Sequence, residues 1–178
     1  MTSILGLSGS LRLASLNSML LRAAARLAPA GISVELGADL GSLPLFNPDL
    51  EPSDPPAVAT LRRRIIAADA LLIASPEYAH GVSGVIKNAL DWMVGNESFI
   101  GKPVALVNTS PRATIAQAAL RETLATMSAV LIEEACITVP LLGAGLGEDA
   151  LLADAARSAL LRRALAALAA AASATTGR

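Results

Sequence analysis

The most constraining feature of this sequence is residues 70–74, which read Ala-Leu-Leu-Ile-Ala without any alternation of polar and apolar side chains. A strand with one face in water alternates, so an unbroken apolar run predicts a strand covered on both faces of a parallel sheet. Further strand-like runs occur at residues 3–7, 32–36, 103–107 and 130–139. They alternate with helical patterns at residues 16–27, 57–68, 85–94, 113–127 and 149–172.

Strands that alternate with helices in this way predict an α/β fold. We expect a doubly wound three-layer sandwich whose five-stranded parallel sheet has the order 2-1-3-4-5. A length of 178 residues suits a single domain over residues 1–178. In such folds ligands bind beyond the carboxyl ends of the strands, where the strand order reverses. Here that point lies between the first and third strands.

Residues 6–17, which follow the first strand, have the composition of a phosphate-binding turn. Gly6 and Gly9 permit tight or positive-φ backbone geometry, so that several amide groups can face one anion. The start of the helix that follows favours negative charge. Short polar donors and one arginine, whose fork of N–H groups matches phosphate oxygens, complete the stretch: Ser10, Ser15, Asn17 and Arg12.

The spacing of these residues narrows the kind of phosphate that the turn can hold. No lysine follows the glycines, so the stretch is not the Gly-Lys-Ser/Thr loop that binds nucleoside triphosphates. The glycines are spaced G-x-x-G instead of G-x-G-x-x-G, which argues against a dinucleotide. The turn therefore favours one terminal monophosphate. The alternative is an ordinary Ser/Gly turn with a helix cap.

Two further polar stretches follow strands that end at the same edge of the predicted sheet. Residues 75–84 read Ser-Pro-Glu-Tyr-Ala-His-Gly-Val-Ser-Gly after the third strand, and residues 108–112 read Asn-Thr-Ser-Pro-Arg after the fourth. We therefore expect three loops to converge on one site. His80, the only histidine, is predicted to be a solvated loop residue. Trp92 is predicted to lie in the core or at an interface.

Composition argues against several functional classes. The formal net charge of −1 gives no support to nucleic-acid binding. Cys136, the only cysteine, excludes an internal disulfide framework and suits a reducing cytoplasm. No run approaches the ~20 apolar residues of a membrane span, and the first apolar run lacks the charged region of a signal peptide. No acidic or histidine cluster has metal-ligand spacing, so no metal is expected.

Three segments of the sequence resemble the NAD(P)H-dependent FMN reductase family, which has a flavodoxin-like fold and includes bacterial quinone, azo-dye and chromate reductases. The resemblance extends from the first strand through the fourth. The segments are residues 43–50, Gly9-Ser10-Leu11-Arg12-x-x-Ser15-x-Asn17, and Pro76-Glu77-Tyr78…Gly81…Lys87-Asn88-Ala89-Leu90-Asp91-Trp92.

This resemblance implies an enzyme that binds FMN and passes hydride from NADPH, or NADH, to a small acceptor such as a quinone. It places the FMN phosphate on Ser10, Arg12, Ser15, Leu16 and Asn17. It places the flavin ring against Pro76, Glu77, Tyr78 and Ala79, with Ser110 nearby. Backbone N–H groups of the ring-binding loop can stabilise the reduced ring, so no catalytic side chain is expected.

The sequence departs from the family pattern after the fourth strand. The family usually has a glycine-bearing loop there, whereas this chain reads Thr-Ser-Pro-Arg-Ala at residues 109–113. Pro111 and Arg112 can narrow the ring site or add positive charge beside it. The preference between NADH and NADPH therefore stays open at this point.

Two alternatives to an enzyme are a flavodoxin-like electron carrier and an FMN-binding regulatory module without turnover. A carrier usually docks through a strongly charged surface, which a net charge near zero does not favour. The helix at residues 85–94 carries two apolar stripes. One can pack on the sheet and the other needs a loop or a partner subunit as cover. A homodimer or homotetramer is therefore expected.

Overall fold

A computed structural model describes residues 1–37 and 39–176. Its main sheet is parallel, with the order β2-β1-β3-β6-β7, and β8 also pairs with β6. This is the predicted order 2-1-3-4-5, so the doubly wound fold is confirmed. A separate antiparallel hairpin is formed by β4 and β5. The strands are β1 (Thr2–Ser8), β2 (Ile32–Leu36), β3 (Ala70–Ala74), β4 (Glu77–Tyr78), β5 (Gly81–Val82), β6 (Pro103–Asn108), β7 (Val130–Leu131) and β8 (Ile137–Thr138).

The last sheet position differs from the prediction of one continuous strand at residues 130–139, which is wrong. β7 and β8 are separated by the 3₁₀ turn Glu133–Ala135. Pro103 pairs with Val130, whereas Val107 pairs with Ile137. Four steps along β6 therefore correspond to seven along its partner, and the extra residues form the turn. Glu133 and Glu134 lie in that turn.

Six helices cover the sheet in the described part of the chain: α1 (Leu16–Leu27), α2 (Pro56–Ala67), α3 (Gly84–Val94), α4 (Thr114–Thr126), α5 (Glu148–Ala153) and α6 (Ala155–Thr176). The prediction of a single C-terminal helix at residues 149–172 is wrong, because the helix is interrupted at Asp154. The Asp154 carboxylate accepts a hydrogen bond from the Arg157 amide at 2.9 Å, as a helix cap does. A new helix therefore starts there.

The core lies on both faces of the sheet. In β3, Ala70, Leu72 and Ala74 belong to the cluster under α1, α5 and α6. Leu71 and Ile73 belong to the cluster under α2, α3 and α4. All five side chains are buried, as the unbroken apolar run predicts. Burial of one Leu or Ile side chain is worth about 1.5–3 kcal/mol, so this strand anchors both layers.

The long proline-rich connection between β2 and α2 covers α3. The Trp92 indole N–H donates to the Pro44 carbonyl at 2.8 Å. The Phe46 ring meets the Trp92 ring edge to face, with centroids 5.1 Å apart, and the Asn88 side chain bonds the backbone of Pro44 and Phe46. Trp92 and Met93, one from each apolar stripe of α3, are both 1% exposed. The loop supplies the cover, so the stripes no longer argue for a partner subunit.

Candidate functional site

A cleft of about 340 Å³ lies at the carboxyl ends of β1, β3 and β6. Nine of the ten predicted site residues line it, and Ala79, at the tip of the hairpin, does not. Their contact with a cofactor stays a prediction. The lining is formed by Ser10, Arg12, Ala14, Ser15, Leu16, Asn17, Pro76, Glu77, Tyr78, Asn108, Thr109, Ser110, Arg112, Ala113 and Leu142.

The loop after β1 leads into the open end of α1. Ser15 has extended backbone geometry and its hydroxyl accepts a hydrogen bond from the Ser18 amide at 3.2 Å, so it is the helix cap. Leu16 and Asn17 are the next two residues, and the first amides of a helix have no partner within it. Asn17 is buried, and its side-chain oxygen accepts a hydrogen bond from the Thr109 hydroxyl at 3.4 Å. This end of the cleft therefore presents N–H donors.

The two glycines of this loop were expected to permit tight or positive-φ geometry. Neither Gly6 nor Gly9 has a positive φ, so the positive-φ alternative is wrong for both. A Cβ on Gly9 would lie 2.6 Å from Ser75 Oγ, 2.7 Å from Ser83 Oγ and 2.7 Å from a side-chain carbon of Ile86. A Cβ on Gly6 would make only ordinary contacts, the nearest at 3.5 Å. Gly9 is thus required by the close approach of the loops after β1 and β3.

The charge of the cleft is positive. Its ionised lining side chains are Arg12, Arg112 and Glu77. Within residues 1–37 and 39–176, neither arginine forms an ion pair. The Glu77 carboxylate is already bound by the protein, as described below. The helix end and the free arginine of the first loop together make a site for a small anion.

The loop after β3 folds into a hairpin that the sequence did not predict. Tyr78 of β4 pairs with Gly81 of β5, which leaves a two-residue turn. Ala79 and His80 form it with φ of 49° and 59°. A type I′ turn requires positive φ at both positions and usually uses Asn-Gly. Ala-His lacks that signature. The Tyr78 side chain is 60% exposed at the cleft wall.

Glu77 directs its carboxylate toward α4. One oxygen, Oε2, accepts a hydrogen bond from the Ala116 amide at 2.8 Å, and Oε1 lies 3.1 Å from His80 Nδ1. The hydrogen bond from Ala116, followed by that from His80, holds the pKa of Glu77 below its usual range. The His80 side chain is 77% exposed, which agrees with a solvated loop residue.

The loop after β6 forms the other wall. The Asn108 side chain brackets the turn, because its amide group donates to the Ser110 carbonyl at 2.6 Å and its oxygen accepts from the Ser110 amide at 3.1 Å. The Thr109 carbonyl accepts from the amides of Leu141 and Leu142 at 3.0 and 3.3 Å. Leu142 was missed by sequence reasoning. Its place after the last strand was the available signal, because carboxyl ends of parallel strands share one edge.

Other candidate chemistry lies outside this cleft. Cys136 is half-buried, its sulfur accepts from the Leu106 amide at 3.4 Å, and burial raises the pKa of its thiol. In the described ranges no three His, Cys, Asp or Glu side chains are grouped to hold a metal ion. None of the helices described combines the length and apolar character that a membrane crossing requires.

Comparison with known proteins identifies relatives. Residues 2–141 match the model of the family described as NADPH-dependent FMN reductase. An NAD(P)H-dependent FMN reductase of Pseudomonas aeruginosa is 48% identical over 110 residues, which are 60% of this chain and 59% of that relative's length. A 2-hydroxy-1,4-benzoquinone reductase of a Burkholderia species is 40% identical over 132 residues, which are 71% of this chain and 72% of that protein.

Among solved structures, a flavoenzyme NAD(P)H:acceptor oxidoreductase of Paracoccus denitrificans superposes over 98% of both chains. The TM-score is 0.87 and the sequence identity is 30%. The structural similarity includes the C-terminal third of the chain, in which no sequence motif of the family was identified. This chain belongs to the NADPH-dependent FMN reductase family.

Proposed function

We propose that this protein is an FMN-dependent oxidoreductase that passes hydride equivalents from NADPH or NADH to a small acceptor such as a quinone. The observation that carries the proposal is the convergence of three loops on one positively charged cleft in a chain of this family. Relatives named FMN reductase and benzoquinone reductase support the donor and the acceptor class.

The donor set of the cleft fits FMN. One end offers the first amides of α1, at Leu16 and Asn17, the hydroxyl of Ser10 and the guanidinium of Arg12, which suit a single terminal phosphate. The lining also offers the apolar groups of Pro76, Tyr78, Ala113 and Leu142, which suit a planar ring. The lining contains two arginines, Arg12 in the loop after β1 and Arg112 in the loop after β6.

The protein contributes binding and orientation to this chemistry. FMN, when bound, supplies the capacity to take up a hydride and return two electrons. The chain would hold the phosphate at α1 and place a planar substrate over the ring through the hairpin and the loop after β6. In the lining, Glu77 is engaged by α4 and Tyr78 is exposed. No side chain is therefore assigned to proton transfer.

An assay with the purified protein alone tests the proposal against the carrier and the regulatory module. The protein is loaded with FMN and given NADPH or NADH together with a benzoquinone, and absorbance of the nicotinamide is followed. Turnover without any protein partner is expected, and the ratio of the two rates gives the nicotinamide preference. A protein that binds FMN but consumes neither nicotinamide would leave the carrier or the module as the better reading.

The assembly and location belong to the same proposal. We propose a cytoplasmic homodimer or homotetramer. Val94, the last residue of α3, and Ile100, six residues later, are 63% and 62% exposed and offer apolar surface to a second copy. The lone Cys136 suits a reducing compartment. Sedimentation of the FMN-bound protein at micromolar concentration tests the assembly, and a monomer there would contradict it.

A further inference from the structure

We propose that Glu77 is a positioning residue that fastens the two walls of the cleft to each other. Its carboxylate joins the hairpin after β3 to the first turn of α4, which follows the loop after β6. This hydrogen bond is a direct polar link between the walls, and the carboxylate that makes it is directed at α4. That the cleft holds FMN rests on the proposed function, whereas the fastening itself does not.

The first step of the argument is that α4 has no cap of its own. Ala113 occupies the N-cap position and has no side-chain acceptor. Ala116 is the third residue of the helix, and its amide is one of those that a capping side chain normally binds. Glu77 supplies that acceptor at 2.8 Å from 39 residues earlier in the chain. A carboxylate is the preferred partner at this end of a helix.

The second step is that the hairpin needs outside support. Ala79 and His80 both have positive φ, a conformation that costs residues other than glycine energy. The hairpin has only two residues in each strand, and short isolated hairpins are marginal in water. The Glu77 carboxylate reaches the His80 ring at 3.1 Å as well as α4. The contact with His80 is exposed and weak, so the bond to α4 is the support that comes from outside the hairpin.

The third step is that the hairpin and the loop that leads into α4 both line the cleft. One side is formed by Pro76, Glu77 and Tyr78, and the other includes Asn108, Thr109, Ser110, Arg112 and Ala113, the residue before α4. The Glu77 side chain is only 12% exposed. Loss of its carboxylate removes the hydrogen bond between the hairpin and the first turn of α4, and we expect the hairpin to become more mobile. The expected consequence is a looser site for the ring end of a ligand, with the phosphate end unaffected.

Three variants separate positioning from simple helix capping. Glu77→Ala removes the acceptor, and Glu77→Gln keeps an oxygen that can accept from Ala116. The double variant Glu77→Ala with Ala113→Ser gives α4 a cap of its own but does not restore the link to the hairpin. Glu122→Ala removes an exposed carboxylate from the same helix and serves as the matched control.

Amide exchange by NMR, on protein without added ligand, measures the fastening directly. In Glu77→Ala we expect exchange at Ala116 and in residues 77–82 to accelerate about ten- to a hundredfold, as loss of a charged hydrogen bond predicts. Glu77→Gln should stay within about tenfold of the parent, since the neutral bond is weaker but present. The double variant should regain protection at Ala116 and stay fast in the hairpin.

Binding of FMN gives the second readout, through its fluorescence and the visible circular dichroism of the bound ring. Weaker binding and an altered ring spectrum are expected in Glu77→Ala and in the double variant, with both largely restored in Glu77→Gln. Unchanged hairpin exchange in Glu77→Ala, or complete recovery in the double variant, would overturn the proposal. A Glu77→Gln variant as damaged as Glu77→Ala would also overturn it, because charge and not position would then matter. Failure of the parent to bind FMN contradicts the proposed function alone.

Discussion

The two loops that flank the turning point of the sheet are held in opposite ways. The loop after β1 makes hydrogen bonds to residues close to it in sequence. The Ser15 hydroxyl accepts from the Ser18 amide and so caps α1, and Ser8 Oγ lies 2.8 Å from Ser18 Oγ. The hairpin after β3 is held by a contact between Glu77 and Ala116, 39 residues apart. The helix cap of the first loop is thus encoded in one short stretch of sequence, and that loop also contacts β3, where the Gly9 amide donates to the Ala74 carbonyl at 2.8 Å. The hairpin depends on a distant helix for its polar link, so changes in the two loops should have different effects.

The largest expected effect concerns the anion site of the first loop. Arg12→Ala removes the free guanidinium at the end of the cleft. FMN binding should weaken by ~1.5–3 kcal/mol, or about ten- to a hundredfold, the scale of a hydrogen bond to a charged group. Fluorescence titration measures it. Arg63→Ala, on the exposed face of α2, is the control and should bind FMN like the parent. If the Arg12 variant and the parent bound FMN with equal affinity, the proposal that the phosphate binds at this end of the cleft would be contradicted.

The next effect concerns the place where the two loops touch. A Cβ at Gly9 would meet Ser75, Ser83 and Ile86 at 2.6–2.7 Å. Ser83 caps α3, so overpacking here disturbs a helix start as well as two loops. Gly9→Ala should lower the free energy of unfolding by ~1–3 kcal/mol, the usual cost of an overpacked core. Chemical denaturation gives the value.

Gly6→Ala is the matched control for Gly9→Ala. Its Cβ would make contacts no closer than 3.5 Å, and the residue lies inside β1. The variant should cost less than Gly9→Ala, with no effect on the cap of α3. If the two variants were equally destabilised, the close approach at Gly9 would not explain the glycine.

A smaller effect is expected at the side chains of the hairpin. Because no side chain is assigned to proton transfer, His80→Ala and Tyr78→Phe should keep the rate of flavin reduction within about tenfold of the parent, at most ~1.4 kcal/mol. Stopped-flow absorbance with NADPH at saturating FMN measures the rate. A thousandfold loss in His80→Ala with unchanged FMN affinity would show that an acid–base residue exists.

These differences explain how far the sequence could be interpreted. The buried run at residues 70–74 and the glycines and short polar residues of the stretch 6–17 are local signals, and they predicted the strand covered on both faces and the end of the cleft at α1. The hairpin was missed because Ala79 and His80 lack turn chemistry. The turn at Glu133–Ala135 was missed because it is stabilised by pairing of both flanking segments with β6. The direction of the Glu77 side chain depends on its hydrogen bond to α4. Because α4 is distant in sequence, no local pattern predicts that direction.

The smallest expected effect tests whether the hairpin turn is strained. Replacing Ala79 by Asn and His80 by Gly supplies the residues that a type I′ turn prefers. The left-handed conformation costs residues other than glycine about 1–2 kcal/mol, and the greater freedom of glycine in the unfolded chain offsets about 0.5–1 kcal/mol of the gain. The exposed contact between His80 and Glu77 is worth little. The double variant should therefore raise the free energy of unfolding by ~0.5–1 kcal/mol in chemical denaturation.

Ala79→Val, which places a branched residue at positive φ, should lower the free energy of unfolding. If both changes moved stability in the same direction, the turn would not be the strained element, and the dependence of the hairpin on α4 would need another cause.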